Sequence, residues 1–281
     1  RFNNVIFTSK KNDNDESKPL IKMYNTHIAK FENCSFELSY KTNRTLIYGA
    51  RSYYALFDNC SFSCGYKRNI NNCKTYDGIG LDLVLFNSSK FVKCRFKHLS
   101  YGVKILNTEN ISFDNCAFEN MKTKGVFVSG DSNYSDTDAI LNSNGYSDNI
   151  IIKDCFFETV WDWKNIVRDI NSVATEWVDG CCYVEFDKNT YNCKMENCCC
   201  VRLPFSNTNV RLSKHKAIIN NGVNNDIKRI GGGIADDVIT NAGQVTLINS
   251  NPELLIKDNN GIPLGCSLDD NVEIMDIDGY N

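Results

Sequence analysis

Two groups of residues carry side chains that could do chemistry. The first is Asp77-Gly-Ile-Gly-Leu-Asp82, two carboxylates in a short segment of Gly and aliphatic residues. The second is residues 160–180, which hold all three Trp of the chain, Trp161, Trp163 and Trp177, with Asp162, Glu176 and Asp179 among them. A pair of carboxyls can break a glycosidic bond: one donates a proton to the leaving oxygen, the other activates water or attacks as a nucleophile. Asp77, Asp82, Asp162 and Glu176 are therefore the candidate catalytic residues. Trp faces beside carboxylates also hold sugars without cleaving them. The indole covers the apolar face of the ring and the acid takes its hydroxyls. Trp161, Trp163, Trp177 and Asp179 are the candidate ligand-binding residues. Each group has a plainer reading. Asp-Gly is a common turn, and an insertion can use large Trp side chains simply to pack.

Other chemistry-bearing types are scattered. The three His (His27, His98, His215) have no spacing to a Ser, Cys or Asp that argues a catalytic relay. Cys181, Cys182, Cys193, Cys198, Cys199 and Cys200 form a cluster, but only Cys193 and Cys198 are spaced like zinc ligands and no His is near. Core thiols or one local disulfide are the expected alternatives, and no metal is assigned. The run Gly231-Gly-Gly233 lacks the following Lys-Ser/Thr of a phosphate loop.

What must position these residues is a repeat. Phe31-Glu-Asn-Cys34-Ser-Phe36 returns as Phe57-Asp-Asn-Cys60-Ser-Phe62, Phe91-Val-Lys-Cys94-Arg-Phe96, Phe113-Asp-Asn-Cys116-Ala-Phe118 and Ile152-Lys-Asp-Cys155-Phe-Phe157. Phe2-Asn-Asn-Val5-Ile-Phe7 has Val in the Cys slot, and Met195-Glu-Asn-Cys198-Cys-Cys200 is a weaker echo. Self-similarity at this period marks a solenoid. Cys94 and Cys116 are 22 residues apart, and a Gly-Val pair follows each of them, at Gly102-Val103 and Gly125-Val126. A coil of that length with several short strands is a turn of a parallel β-helix, and its expected hand is right. Strict alternation would put the two Phe of one copy on opposite faces. A bend or bulge near the Asn would turn both inward.

The remaining Cys-slot spacings, counted from Val5, are 29, 26, 34, 39 and 43 residues. The excess maps to insertions at 10–19, 63–76, 130–148 and 160–180, and insertions in solenoids are loops, often on a binding face. The segment 160–180 has mixed apolar spacing and no Pro, and reads as one or two short helices. The repeat lapses after about Pro204. The strand patterns Gln244–Ile248 and Glu253–Lys257 then appear, followed by a hairpin signal, Asp258-Asn-Asn-Gly261. The expected organisation is a parallel β-helix over 1–203 and a β-rich cap or oligomerisation region over 204–281. The expected class is all-β: a right-handed, single-stranded parallel β-helix with inserted loops.

Composition narrows the function classes. With 31 basic and 34 acidic residues the net charge is only −3 and no basic block exists, so nucleic acid is not an expected partner. No run of 18 or more apolar residues occurs, so membrane insertion is not expected. The chain opens on Arg1 with the repeat already running at Phe2, as expected of a piece cut from a longer chain. Asn is conspicuous; it suits left-handed corners, and its amides can form ladders from coil to coil. Asn33-Cys-Ser and Asn59-Cys-Ser match a glycosylation signal but lie inside the repeat, where a glycan would clash with the coil. Cys34, Cys60, Cys94, Cys116 and Cys155 would stack about 4.8 Å apart. Their parallel side-chain vectors suit buried reduced thiols better than disulfides. Such a ladder fits folding in a reducing cytosol.

The Asn-Cys-x-Phe coils, interrupted by loops and followed by a β-rich end, resemble the pectate-lyase-like superfamily of parallel β-helices. Within it they look most like bacteriophage tailspikes and related receptor-binding proteins. The resemblance covers about residues 1–203. It implies a homotrimer, a surface glycan of a host cell as target, and a place in a virion tail or on a cell surface. Asp77-Gly also resembles the Asn-Thr-Asp-Gly strand of polygalacturonases. Their later motifs are not in place: about one coil on stands His98-Leu-Ser-Tyr-Gly102, and Asp236-Asp237 lies outside the repeat. Three functions follow from the resemblance: a glycan-binding spike or adhesin, a depolymerase, or a structural β-helix. If an enzyme, it would be a glycoside hydrolase or a polysaccharide lyase, and Ca²⁺ is a cofactor only in the lyase case.

Overall fold

Each copy of the six-residue pattern folds as a strand, a one-residue bend and a second strand. In one copy Ile111–Asp114 and Ala117–Met121 are the strands, and Asn115 between them has φ 54°. Asn adopts this left-handed conformation readily because its short amide can bond to the local backbone. The bend resets the side-chain alternation, so Phe113 and Phe118 both point inward and are fully buried. The same position is left-handed at Asn4, Asn33, Asn59, Lys93, Asp154, Asn197 and Arg229.

The computed structural model describes residues 1–9, 18–38, 44–64, 78–134, 145–160, 182–201, 218–232, 239–241, 244–247, 255–257 and 263–267. It is an all-β, right-handed parallel β-helix with three long parallel sheets, and no helix occurs among the described residues. The strands before the Asn bend form sheet A, with Phe31↔Phe57, Phe57↔Phe91 and Phe91↔Phe113 in register. Those after it form sheet B, with Phe36↔Phe62, Phe62↔Phe96 and Phe96↔Phe118. A third strand in each coil forms sheet C, through Thr45–Tyr53, Ile79–Asn87, Tyr101–Leu106, Lys124–Ser129 and Cys182–Phe186. Gly102 of sheet C is required by close approach. A Cβ there would meet the Gly125 carbonyl oxygen at 2.6 Å and the Phe118 ring at 2.8 Å, which explains the Gly-Val pairs.

Register turns the repeat into ladders. The rings of Phe31, Phe57, Phe91 and Phe113 stack at 4.7–4.9 Å, and those of Phe36, Phe62, Phe96, Phe118 and Phe157 at 4.7–4.9 Å, all within 12° of parallel. That spacing is the inter-strand distance itself. The slot thiols are buried and free. Cys116 Sγ donates to Phe91 O of the preceding coil at 3.4 Å and to Asp114 O at 3.5 Å, and Cys94 and Cys155 repeat the pattern. Cys198 continues this column, Cys200 pairs in register with Phe157, and Cys193 bonds Tyr191 O; these late Cys are thus coil positions, while Cys181 lies outside the described residues. Amide ladders join some corners, with Asn59 Nδ2 donating to Asn33 Oδ1 at 2.8 Å and Asn149 Nδ2 to Asn110 Oδ1 at 2.7 Å. Buried hydroxyls, not anticipated from the sequence, cap the backbone at another corner: Ser89 Oγ accepts from Ala55 N and Thr108 Oγ1 from Phe86 N.

The change of residue character after Pro204 does not end the stacking. Ile218–Asn220 adds to sheet C, and Asp226–Gly232 runs through the bend to pair with both sheet A and sheet B. In that copy Ile227 takes the first Phe slot, Arg229 the bend, Ile230 the Cys slot and Gly232 the second Phe slot. The slots accept these residues by size and backbone geometry, so the letters of the repeat vanish while its shape persists. Gln244–Leu247 pairs parallel to the same strand, and Leu255–Lys257 pairs antiparallel with Pro263–Ser267; the turn expected at Asp258–Gly261 lies outside the described residues.

Two outcomes are expected. Phe118, held between Phe96 and Phe157, leaves a cavity when truncated, so Phe118→Ala should cost about 3–5 kcal/mol in a denaturant titration. Burial pushes the Cys193 thiol up to about 12, and the adjacent Cys155 thiol and then burial push Cys198 far above its ordinary range. The thiolate is the reactive form. Burial keeps a bulky thiol reagent from the column even at Cys60, where the hydrogen bond with Cys94 lowers the pKa, so peptide mapping at pH 8 should find Cys34, Cys60, Cys94, Cys116, Cys155, Cys193 and Cys198 unlabelled in the native protein. The partly exposed Cys199 should be labelled first among the described cysteines.

Candidate functional site

Three of the four expected insertions, 10–19, 63–76 and 160–180, root on one edge, whereas 130–148 follows the sheet C strand Lys124–Ser129 and precedes the sheet A strand Ile151–Lys153. Residues 10–17, 39–43, 65–77, 161–181 and 202–217 each connect the end of a sheet B strand to the start of a sheet C strand. Such clustering on one face is how solenoids present binding loops. The outer face of sheet C is therefore the surface to examine.

Two outward columns run along it. Tyr48, Asp82, Lys104, Phe127 and Glu185 are in register across five coils. Ile79, Tyr101, Lys124 and Cys182 form the second column. Cations lie over rings throughout. Lys22 Nζ is 5.4 Å and Arg51 Cζ 5.9 Å from the Tyr24 centroid. Lys104 Nζ is 5.5 Å from Tyr101, and Lys124 Nζ is 4.9 Å from Phe127 and 5.9 Å from Tyr101. Lys124 also bonds Glu185 at 2.8 Å, with both side chains largely shielded from solvent. Burial alone would lower the Lys124 pKa; the Glu185 carboxylate, with Cys182 nearby, outweighs it and the net shift is upward.

Asp82 is the one sequence-derived candidate within the described residues, and it stands in this face. Burial raises its pKa, while Lys104 in the next coil acts in the opposite direction. Asp77, Asp162, Glu176, Asp179, Trp161, Trp163 and Trp177, and the helices expected over 160–180, lie outside the described residues. The ends of that Trp-bearing segment are placed: Val160 pairs with Met121 of sheet B, and Cys182 pairs with Lys124 of sheet C. His98 occupies a left-handed corner at φ 56°, where burial lowers its pKa.

Among the described residues, the carboxylates of the sheet C face do not stand at hydrolase spacing. A hydrolase needs carboxyls about 5–9.5 Å apart, one of them easily protonated. Asp82 and Glu185 are three strands apart, about 14 Å at the inter-strand spacing. Acids that neighbour each other in register stand on other faces. There Glu119 is bound by Lys97 at 2.7 Å and Arg95 at 3.3 Å. Glu32 is bound by Lys30 and Arg1, which keep its pKa low. Among the described residues no group of three His, Cys, Asp or Glu is placed to hold a metal ion.

Sequence reasoning missed Tyr101, Lys104, Lys124 and Phe127. A signal was present: in Ile79-Gly-Leu-Asp82, Tyr101-Gly-Val-Lys104 and Lys124-Gly-Val-Phe127 the residues flanking the Gly-aliphatic pair all point outward.

No protein-family model matches the chain, and no curated protein matches it.

The Asp82 shift has a pH signature. Below the ordinary Asp value, near 3.9, both folded and unfolded chains hold the proton. Above the raised folded value the native state carries a half-buried charge, so this group's contribution to stability falls as pH rises through that window. Asp82→Asn should therefore gain denaturant resistance relative to the parent at pH 7 and lose that advantage near pH 3. A variant weakened more at pH 7 than at pH 3 would contradict the assignment.

Proposed function

We propose that this protein is a carbohydrate-binding β-helix of the tailspike or adhesin kind, which lays a host-cell surface polysaccharide along the outer face of sheet C. The observation that carries the reading is a pair of ring-and-cation groups on this one face, Tyr24 with Lys22 and Arg51, and Tyr101 and Phe127 with Lys104 and Lys124, separated by the coil that presents Asp82, with five of the connecting segments rooted along its edge. A rigid solenoid spaces such groups evenly along its axis, which suits an extended repeating polymer. The rings cover sugar faces and the cations and acids take hydroxyls or anionic substituents. The superfamily resemblance supports the same class and adds a homotrimer in a virion tail or on a cell surface.

A depolymerase is the second reading, favoured by the raised pKa of Asp82. A carboxyl that keeps its proton is a general acid in waiting, and Asp77 would have to supply its partner.

The two readings separate in one experiment. Purified host-envelope polysaccharide is incubated with the protein, and bound and cleaved products are followed by pull-down and mass spectrometry. The binding reading expects retention without new chain ends. It also expects Tyr101→Ala to weaken retention about tenfold, the effect of losing one ring contact, with little change in melting temperature. New reducing or unsaturated ends that disappear in Asp82→Asn would replace it with the depolymerase. No retention and no cleavage would leave neither.

A further inference from the structure

Where sheet C hands the chain to sheet A, every coil makes a left-handed turn. From the third coil on, the residue there is Ser88, Asn110, Asn149, Asn192 and Asn224. These are short and polar, and the Asn among them tolerate this backbone. In the first two coils the same position holds Ile28 at φ 56° and Tyr54 at φ 59°. The column is continuous, since Ile28 N donates to Tyr53 O, Tyr54 N to Asn87 O and Ser88 N to Glu109 O. A β-branched or bulky residue with positive φ is a conformational outlier, and such strain persists chiefly at ligand sites. Both side chains also point into water: Ile28 is 79% exposed and Tyr54 61%. Packing explains neither choice, because the later coils make the identical turn with polar residues.

The neighbouring position adds rings. His27 and Tyr53 bridge in parallel and stack at 5.1 Å, 30° from coplanar. Along the same corner the next coils present Asn87 and Ser88, then Glu109 and Asn110, with Glu109 bridged to Asp148. No Lys or Arg occupies either corner column from His27 to Asn224 among the described residues.

We propose that this corner is a second carbohydrate subsite, separate from the sheet C face, and that it takes an uncharged sugar. Tyr54, with the Tyr53–His27 stack beside it, covers the apolar C–H face of a pyranose ring. Ile28 extends that floor by one coil. The amide, hydroxyl and carboxylate groups of Asn87, Ser88 and Glu109 take the ring hydroxyls. Glu109 and Asp148 disfavour a uronate or sulfated sugar, the opposite of the cation-rich sheet C face. The strain and exposure at Ile28 and Tyr54 are retained for binding.

Substitution by the residue of the later coils tests this. The whole chain and the variants Ile28→Asn and Tyr54→Asn are applied to an array of neutral and uronate-bearing oligosaccharides, and melting temperatures are read in parallel. The parent should bind neutral oligosaccharides. Each variant should melt no lower than the parent, with a gain of about 2 °C from the relieved turn. Tyr54→Asn should lose neutral binding about tenfold. Saturation-transfer NMR on the best neutral oligosaccharide should show contact with Tyr protons in the parent, reduced in Tyr54→Asn. The proposal is overturned if the parent binds no neutral sugar on the array. Unchanged neutral binding in Tyr54→Asn also overturns it. So does a clear fall in melting temperature in both variants, which would return the two side chains to a packing role.

Discussion

The structure depends on one backbone constraint: a single left-handed residue between two short strands. At Asn115 and its equivalents this residue turns the chain and resets the side-chain alternation, so that both Phe of each copy enter the core. Without it one Phe per coil would face water. With it, parallel pairing in register stacks like on like, and ring spacing equals strand spacing. The Cys beside the bend follows from the same geometry. It is small and apolar enough for a tight corner, and its thiol bonds carbonyls of its own coil and of the one before.

A core built this way leaves the outside of each coil free to vary. Outward positions on sheet C need only suit a strand, and the junction between sheets B and C tolerates added residues because the strands on either side are held by their neighbours above and below. Five connecting segments root there, among them three of the four insertions. Interior and exterior are therefore decoupled: the interior repeats, while rings and cations gather on parts of one face and several connecting segments along its edge. A graded set of environments follows. Asp82 is half-buried and keeps its proton more firmly, Lys124 and Glu185 are sheltered as a pair, and Glu32 of sheet A and Glu119 of sheet B are clamped by neighbouring cations.

The candidate site was only partly legible. Asp82 was found because two carboxylates near a Gly-rich strand form a local pattern. Tyr101, Lys104, Lys124 and Phe127 were not, because what relates them is register between coils 22 and 23 residues apart, and none is unusual in its own strand. The same holds for His27 and Tyr53, which touch only because successive coils bring them together. The eighth copy of the bend, at Ile227–Gly232, escaped notice for the opposite reason: its place in the stack is regular while its letters are not.

By itself, the sequence determined the fold class and the identity of the slots. A parallel β-helix is specified by local rules repeated many times: a residue that accepts a left-handed bend, a small apolar residue after it, and large apolar residues on either side. Each rule is satisfied within six residues and can be read along the chain. Tertiary structure alone decided which outward side chains share a face, how strongly Asp82 and Lys124 are perturbed, and that the stack runs on past residue 204. Those properties arise between coils. Insertions of unequal length separate neighbouring rungs by 22 residues in one place and 43 in another, so only the hydrogen-bonded register between strands reveals which residues meet.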